Sequence, residues 1–399
     1  MNSGIVLRVY LIFLFGIAPF LSKFSPSSYR LILWSTGFFA SSFIIVTEYR
    51  RLYKIPIEFY LYFSLLIFAI ISLPKIEYYS DFFRYLQVLF ANFILMISIY
   101  FAIHNYIELK KVIETIFYCL VMVVGFSFIT EGSNDFSSQS FERLEGLLGN
   151  SNGTASYARI SILFGLCMVN WSKNIFKLMI IYSTIILCGY VIILSASRSS
   201  LAIFTFVILS YLYFKYLKNL NLLVYVFLVI IFLGLIGTFL IEFIDDFYVY
   251  ERLMRNEGKS LEEIQESEAR LELYKIALEA TLENPILGLG LNQFRHYAGG
   301  KISHTDILDI ASQLGLIAMI FYVFIYVKIF NGFKKMFNSL NNNLILKILF
   351  LLFLSEIIFG LSNPNWFLQI DMALLSLFIT YIDLSNRSLL KYKKYLFNV

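Results

Sequence analysis

Apolar blocks poor in charge recur along this chain, each near the length that crosses a bilayer, about 17–25 residues. They stand near 5–22, 29–47, 57–73, 83–103, 112–130, 153–170, 175–194, 199–214, 222–241, 306–328, 344–361 and 366–383. Lipid offers a backbone no hydrogen-bond partner, so each block is expected to be a helix. Of the 399 residues, 59% are hydrophobic and only 15% charged, which is more apolar surface than a soluble chain can hide. The expected fold class is therefore an all-α polytopic integral membrane protein with about twelve transmembrane helices. Residues 5–22 are read as an uncleaved first span, because Arg8 lies inside the apolar run and no small-x-small cleavage site follows Pro19.

Positive charge checks the alternation. With the N-terminus in the cytoplasm, the inner connections hold Arg50, Arg51, Lys54, Lys110, Lys111, Lys173, Lys177, Lys215, Lys218, Lys328, Lys334 and Lys335. The tail adds Arg387, Lys391, Lys393 and Lys394, while the short outer connections hold little more than Lys23, Lys75, Arg143 and Arg198. The positive-inside rule is met at each short loop, which puts both termini in the cytoplasm. No internal repeat is evident, so residues 1–399 read as one integral domain.

The long polar interval 242–304 then faces outward, between spans nine and ten. An insertion of roughly sixty residues is usually functional or disordered, and the helical periodicity here opposes disorder. Ser260 and Glu263 form a capping box, and Leu261, Ile264, Leu271, Tyr274, Ala277 and Leu278 make an apolar stripe, which predicts a helix over 260–283. Asn284-Pro285 ends it, and Gly288 and Gly290 turn the chain.

Cys119, Cys167 and Cys188 all lie in apolar blocks and read as small buried hydrophobes. The sequence has no zinc or iron–sulfur spacing, no Walker loop and no dinucleotide fingerprint, so no metal, cofactor or nucleic acid is expected.

Unusual polar residues cluster on the outer side. Arg143 precedes Gly149-Asn150-Ser151-Asn152-Gly153, with Arg159 one to two turns into the following span. A plain helix start capped by Asn150 or Asn152 explains that run as well as a site does. The short connection Ser195-Ala196-Ser197-Arg198-Ser199 holds Arg198 at the membrane edge. It fits a snorkelling anchor, although the small flanks also admit a close ligand. Arg270 sits among Glu266, Glu268 and Glu272, where surface ion pairs are the plain alternative. Ser303-His304-Thr305-Asp306 opens the next span, and histidine is the natural proton acceptor near neutral pH.

In order, spacing and span placement, these motifs resemble the membrane O-antigen polymerase and ligase superfamily. The resemblance runs from Arg143 through Asn152, Arg198, Arg270 and Asn284-Pro285-Ile286-Leu287-Gly288-Leu289-Gly290 to His304 and Leu314-Gly315-Leu316. It covers about 143–330; the first five blocks match only in being hydrophobic. Two positions depart from it: Ser151 stands where the family often has proline, and Thr305 where it often has asparagine.

The resemblance implies a GT-C-like fold with a large helical extracytoplasmic loop, in a bacterial inner membrane. It implies a metal-independent glycosyltransferase whose donor is a polyprenyl-pyrophosphate-linked glycan. Arg198 and Arg270 would hold the pyrophosphate, with Arg270 turned toward Arg198. His304, or a neighbouring carboxylate such as Asp306, would accept the proton. Arg143, Arg159, Asn152 and Asp306 are the further substrate contacts expected. Membrane lipid and a chain-length regulator protein are the implied partners. Polymerase is the first reading and ligase the second. A lipid-linked oligosaccharide flippase is the alternative of another class; it needs charges inside the spans, and here those are few: Arg8, Glu356 and Asp371.

Overall fold

A computed structural model describes residues 2–24, 26–131, 144–195, 197–217, 261–339, 343–364 and 366–396. Among the described residues every regular element is helical and there is no strand. The expected blocks fall on helices, except 222–241, which lies outside the described residues.

In chain order the helices are α1 (Ser3–Phe24), α2 (Pro26–Thr47), α3 (Ile57–Ile71), α4 (Tyr79–Ala102) and α5 (Tyr106–Glu131). Then come α6 (Ser151–Trp171), α7 (Ile175–Leu194), α8 (Arg198–Leu212), α9 (Leu261–Glu283) and the single turn α10 (Phe294–Tyr297). The chain closes with α11 (Asp306–Ser339), α12 (Leu344–Gly360) and α13 (Gln369–Leu396). Among the described residues six helical stretches are long and apolar enough to cross a membrane: Ser3–Phe24, Tyr79–Ala102, Tyr106–Glu131, Ile175–Leu194, Ser199–Tyr216 and Asp306–Ser339.

The interior is built around α6 and α13. α6 is buried along nearly its whole length and packs against α5, α7, α8 and α12. Its small residues, Ala155, Ser156, Ala158, Ser161 and Gly165, explain why: without bulk, neighbouring backbones approach closely, which is how helices associate where lipid gives no hydrophobic drive. α7 is one-sided instead, with Phe176, Met179, Ile180 and Ile186 exposed on an outer face that suits lipid.

α9 forms where 260–283 was expected, and of the expected stripe Ala277 is buried and Tyr274 half-buried, but Leu271 and Leu278 are not. Leu273, Ala277 and Ala280 pack on Phe294 and Ala298, with Leu289 and Leu308 beside them. Leu271, Leu278 and Leu282 are exposed. The reason is shape: the two alanines let α9 lie close over the start of α11, and larger side chains on that face would hold it away.

The turn after α9 does more than reverse the chain. α11 is broken at Gly315, whose φ of 88° and ψ of 171° are non-helical. The strap 285–290 crosses that break: Leu316 N donates to Pro285 O at 2.8 Å, Leu289 N to Ser312 O at 2.8 Å and Gly290 N to Gln313 O at 2.9 Å. The backbone groups freed by the break are thus satisfied by the strap, as burial requires. A Cβ at Gly315 would strike the Ile286 carbonyl, and one at Gly288 would strike the Gln313 carbonyl. Gly315→Ala is therefore expected to lose about 1–3 kcal/mol to backbone strain and a similar amount to overlap. Gly299 has φ +64° and open space around it, so Gly299→Ala carries only the strain. Melting temperatures of the two purified variants in detergent check this; equal loss would remove the close approach as the cause.

Candidate site at the start of α11

The site is best built from the turn between α12 and α13, which the sequence reading had passed over. Asn363 binds two of the outer motifs at once: its Oδ1 accepts from Asn152 Nδ2 at 3.2 Å, and its Nδ2 reaches Ser199 Oγ at 3.4 Å. Three residues on, Trp366 N donates to Asp306 Oδ1 at 3.1 Å, and its indole Nε1 donates to Asp309 Oδ2 at 2.8 Å. One turn therefore ties the starts of α6, α8 and α11 together. The Asn363-Pro364 dipeptide was the available signal for it, as a turn marker between the last two spans.

Each motif has a local reason for its shape. Asn150 is the N-cap of α6 and accepts from Asn152 N at 3.0 Å, which leaves the Asn152 side chain free to reach Asn363. Ahead of it, Glu131 accepts from Gly146 N at 2.6 Å and Glu145 N at 3.1 Å and pairs with Lys23 at 2.8 Å, anchoring the segment that leads in. His304 has φ +61°, a left-handed conformation unusual outside glycine, and it is half-buried at the mouth of the bundle. Ser303 Oγ donates to Asp309 Oδ1 at 2.9 Å, and Thr305 Oγ1 accepts from Leu308 N at 3.1 Å. Thr305, a departure from the family pattern, thus serves as a helix cap. Residues on both sides of His304 are pinned, and a strained conformation so held is a mark of functional positions.

Asp306 is buried and engaged with the protein: besides Trp366 N, it accepts from Tyr322 Oη at 2.9 Å. A Cβ on Gly360 would strike its carboxylate, so a glycine there is what admits it.

Arg159, an expected substrate contact, is 1% exposed, and its guanidinium grips Glu356 as a fork, Nη1 to Oε1 at 2.9 Å and Nη2 to Oε2 at 3.1 Å. It also donates to Ser355 Oγ at 2.6 Å and Ser156 Oγ at 3.1 Å, and lies 4.8 Å from the centre of the Phe359 ring. Asp371 is buried beside Glu356 and completes the cluster. Glu356 lies near the end of α12 and Asp371 in the first turn of α13.

The strap of 284–297 is held from the other side. Lys75 Nζ donates to Asn284 Oδ1 at 2.8 Å, and Gln293 Oε1 accepts from Glu77 N and Tyr78 N. His296 stacks on Tyr78 at 3.6 Å and meets Asp81 Oδ2 at 2.8 Å. Of the other expected residues, Arg143 lies outside the described residues. The backbones of Arg198 and Arg270 are helical, Arg198 opening α8 and Arg270 within α9, but both side chains lie outside the described residues. Among the described residues no group of three or more His, Cys, Asp and Glu could hold a metal ion.

Residues 183–323 match the family model described as O-Antigen ligase. The matched segment runs from α7 through α8 and α9 into α11 and includes the strap and the His304 turn. It supports the O-antigen polymerase and ligase superfamily, and with it a multi-pass membrane enzyme of the ligase or polymerase type. No curated protein sequence matches this chain significantly.

Proposed function

We propose that the chain is a glycan polymerase of the bacterial inner membrane. It transfers a growing glycan from polyprenyl pyrophosphate onto a lipid-linked repeat unit, at the outward end of the bundle. The observation that carries this reading is the convergence on the 360–366 turn of Asn152, the Arg198 end of α8 and the His304 turn.

The chemistry follows from the groups. The bond between the glycan's anomeric carbon and a pyrophosphate oxygen breaks, and a bond from that carbon to an acceptor hydroxyl oxygen forms. The pyrophosphate leaves with the bonding electron pair and stays on its lipid. Arg198 and Arg270 take that charge; a guanidinium is a permanently charged planar fork matched to phosphate oxygens. Stabilising the leaving group in this way replaces the divalent metal that other glycosyl transfers use. The acceptor's proton goes to His304. Asp306 is the weaker candidate for that role, because both its oxygens already accept from the protein.

The experiment uses purified protein with a lipid-pyrophosphate-linked donor and acceptor, read as a ladder of chain lengths. His304→Ala is expected to slow the ladder by about 10²–10⁴-fold, the usual contribution of a positioned general base. His296→Ala is expected to be mild, since His296 braces the strap against Tyr78 and Asp81 and is not part of the His304 turn. EDTA should leave the ladder intact; loss with EDTA and recovery with Mg²⁺ or Mn²⁺ would refute the arginine mechanism.

The ligase reading has the matched family's description in its favour. A strain lacking the chain separates the two. A single retained repeat without a ladder means polymerase, and loss of all attached chain means ligase.

A further inference from the structure

At the opposite end of the bundle from His304 lies a cavity of about 500 Å³. It sits where α5 and α12 begin and where α6 and α13 near their ends, lined by Tyr106, Lys110, Trp171, Asn343, Leu349 and Tyr381 among others. Volumes of this size accept a small amphiphile. The walls are mostly apolar, and the three aromatic residues carry the polar tips typical of a membrane–water boundary.

Lys110 is the unusual member. It is half-buried, its ammonium lies 5.5 Å from the Trp171 ring centre, and it makes no ion pair among the described residues. Two other cations on the lining helices and their neighbours are neutralised: Lys177 pairs with Glu114 at 3.1 Å and Arg387 with Asp383 at 2.6 Å. No carboxylate lines the cavity among the described residues. Asn343 spends its Oδ1 on the first amides of α12, Ile345 N and Leu346 N, and retains its amide N–H groups as donors. A cation without an anion and a spare amide thus stand at the rim of an apolar pocket.

We propose that this cavity binds an anionic glycerophospholipid of the adjoining leaflet. The headgroup phosphate meets Lys110 and the Asn343 amide, and one acyl chain lies along Ile113 and Leu349. Charge complementarity selects the occupant: basic pockets between spans are where anionic headgroups are held. The assignment is independent of the chemistry proposed at the other end.

The test is thermal unfolding of the detergent-purified protein with phosphatidylglycerol, with phosphatidylcholine of the same acyl chains, or with inorganic phosphate. Phosphatidylglycerol should raise Tm in a saturable way, and the other two should not. Lys110→Gln should abolish the shift, whereas Lys111→Gln, one residue on and outside the cavity lining, should keep it. Ile107→Trp, at the exposed rim, should shrink the shift by filling the mouth, and it serves as the working variant should Lys110→Gln not fold. An equal shift with phosphate would assign the site to a free anion, and an equal shift with phosphatidylcholine would make it nonspecific. Either result, or an undiminished shift in Lys110→Gln or Ile107→Trp, overturns the lipid assignment.

Discussion

Arg198→Ala and Arg270→Ala are each expected to abolish long glycan chains while the protein stays at its normal level in the membrane. Both would act on one leaving group, so losing either should cost about 10²–10³-fold or more, as removal of a single charge-stabilising donor does elsewhere. The double variant should be little worse than the worse single one, because groups that act as a unit are not additive. Lysine should rescue poorly at both positions, since an ammonium cannot hold two phosphate oxygens in one planar fork. The placement that motivates Arg198 is its position at the first residue of α8, next to Ser199, whose hydroxyl is tied through Asn363 to Asn152. Arg270 is motivated by its place in α9, the helix that packs over the start of α11. The readouts are the chain-length ladder and an immunoblot of membranes. A full ladder from either alanine variant would remove that arginine from the mechanism.

Arg159→Ala should act by another route, losing the protein along with its product. The substitution leaves Glu356 and Asp371 buried without the guanidinium that Glu356 grips. Breaking a buried pair from one side costs about 3–5 kcal/mol, most of it the penalty of the charge left behind. Arg159→Lys should also be poor, because the fork to both Glu356 oxygens and the bonds to Ser355 and Ser156 need a guanidinium. Replacing both partners, Arg159→Met with Glu356→Leu, should recover much of the loss, as apolar replacements of buried pairs often do. Melting temperature in detergent and the amount of folded protein recovered from membranes distinguish the outcomes. Normal stability in Arg159→Ala with activity lost would return Arg159 to the substrate-binding role first expected of it.

What was legible in the sequence was whatever depends on near neighbours in the chain. The apolar blocks were visible because a helix in lipid must satisfy its own backbone, so its hydropathy and length are local properties. The helix over 260–283 was visible for the same reason, in its periodicity and its Asn284-Pro285 stop. So was Asn150 as a cap, since an N-cap bonds an amide two residues away. Which members of the α9 apolar stripe are buried was not, because Leu271 and Ala277 both look apolar and only the close seat on Phe294 and Ala298 selects between them.

The remaining decisions belong to contacts between distant residues. Gly288 reads only as a turn and Gly315 only as part of a short motif until the strap is laid across the break in α11, where each proves to be the absence of a Cβ between two backbones. Arg159 and Glu356 stand 197 positions apart, and Asn152 and Asn363 stand 211 apart. A charge inside an apolar block announces that it needs a partner. Which partner it finds, and whether that partner is a substrate or another side chain, is decided by how the helices pack. The sequence alone thus determined the helices and the residues with chemistry to offer. Packing decided which of them face the site and which are consumed in holding it together, because desolvation makes each buried polar group take the nearest complementary one.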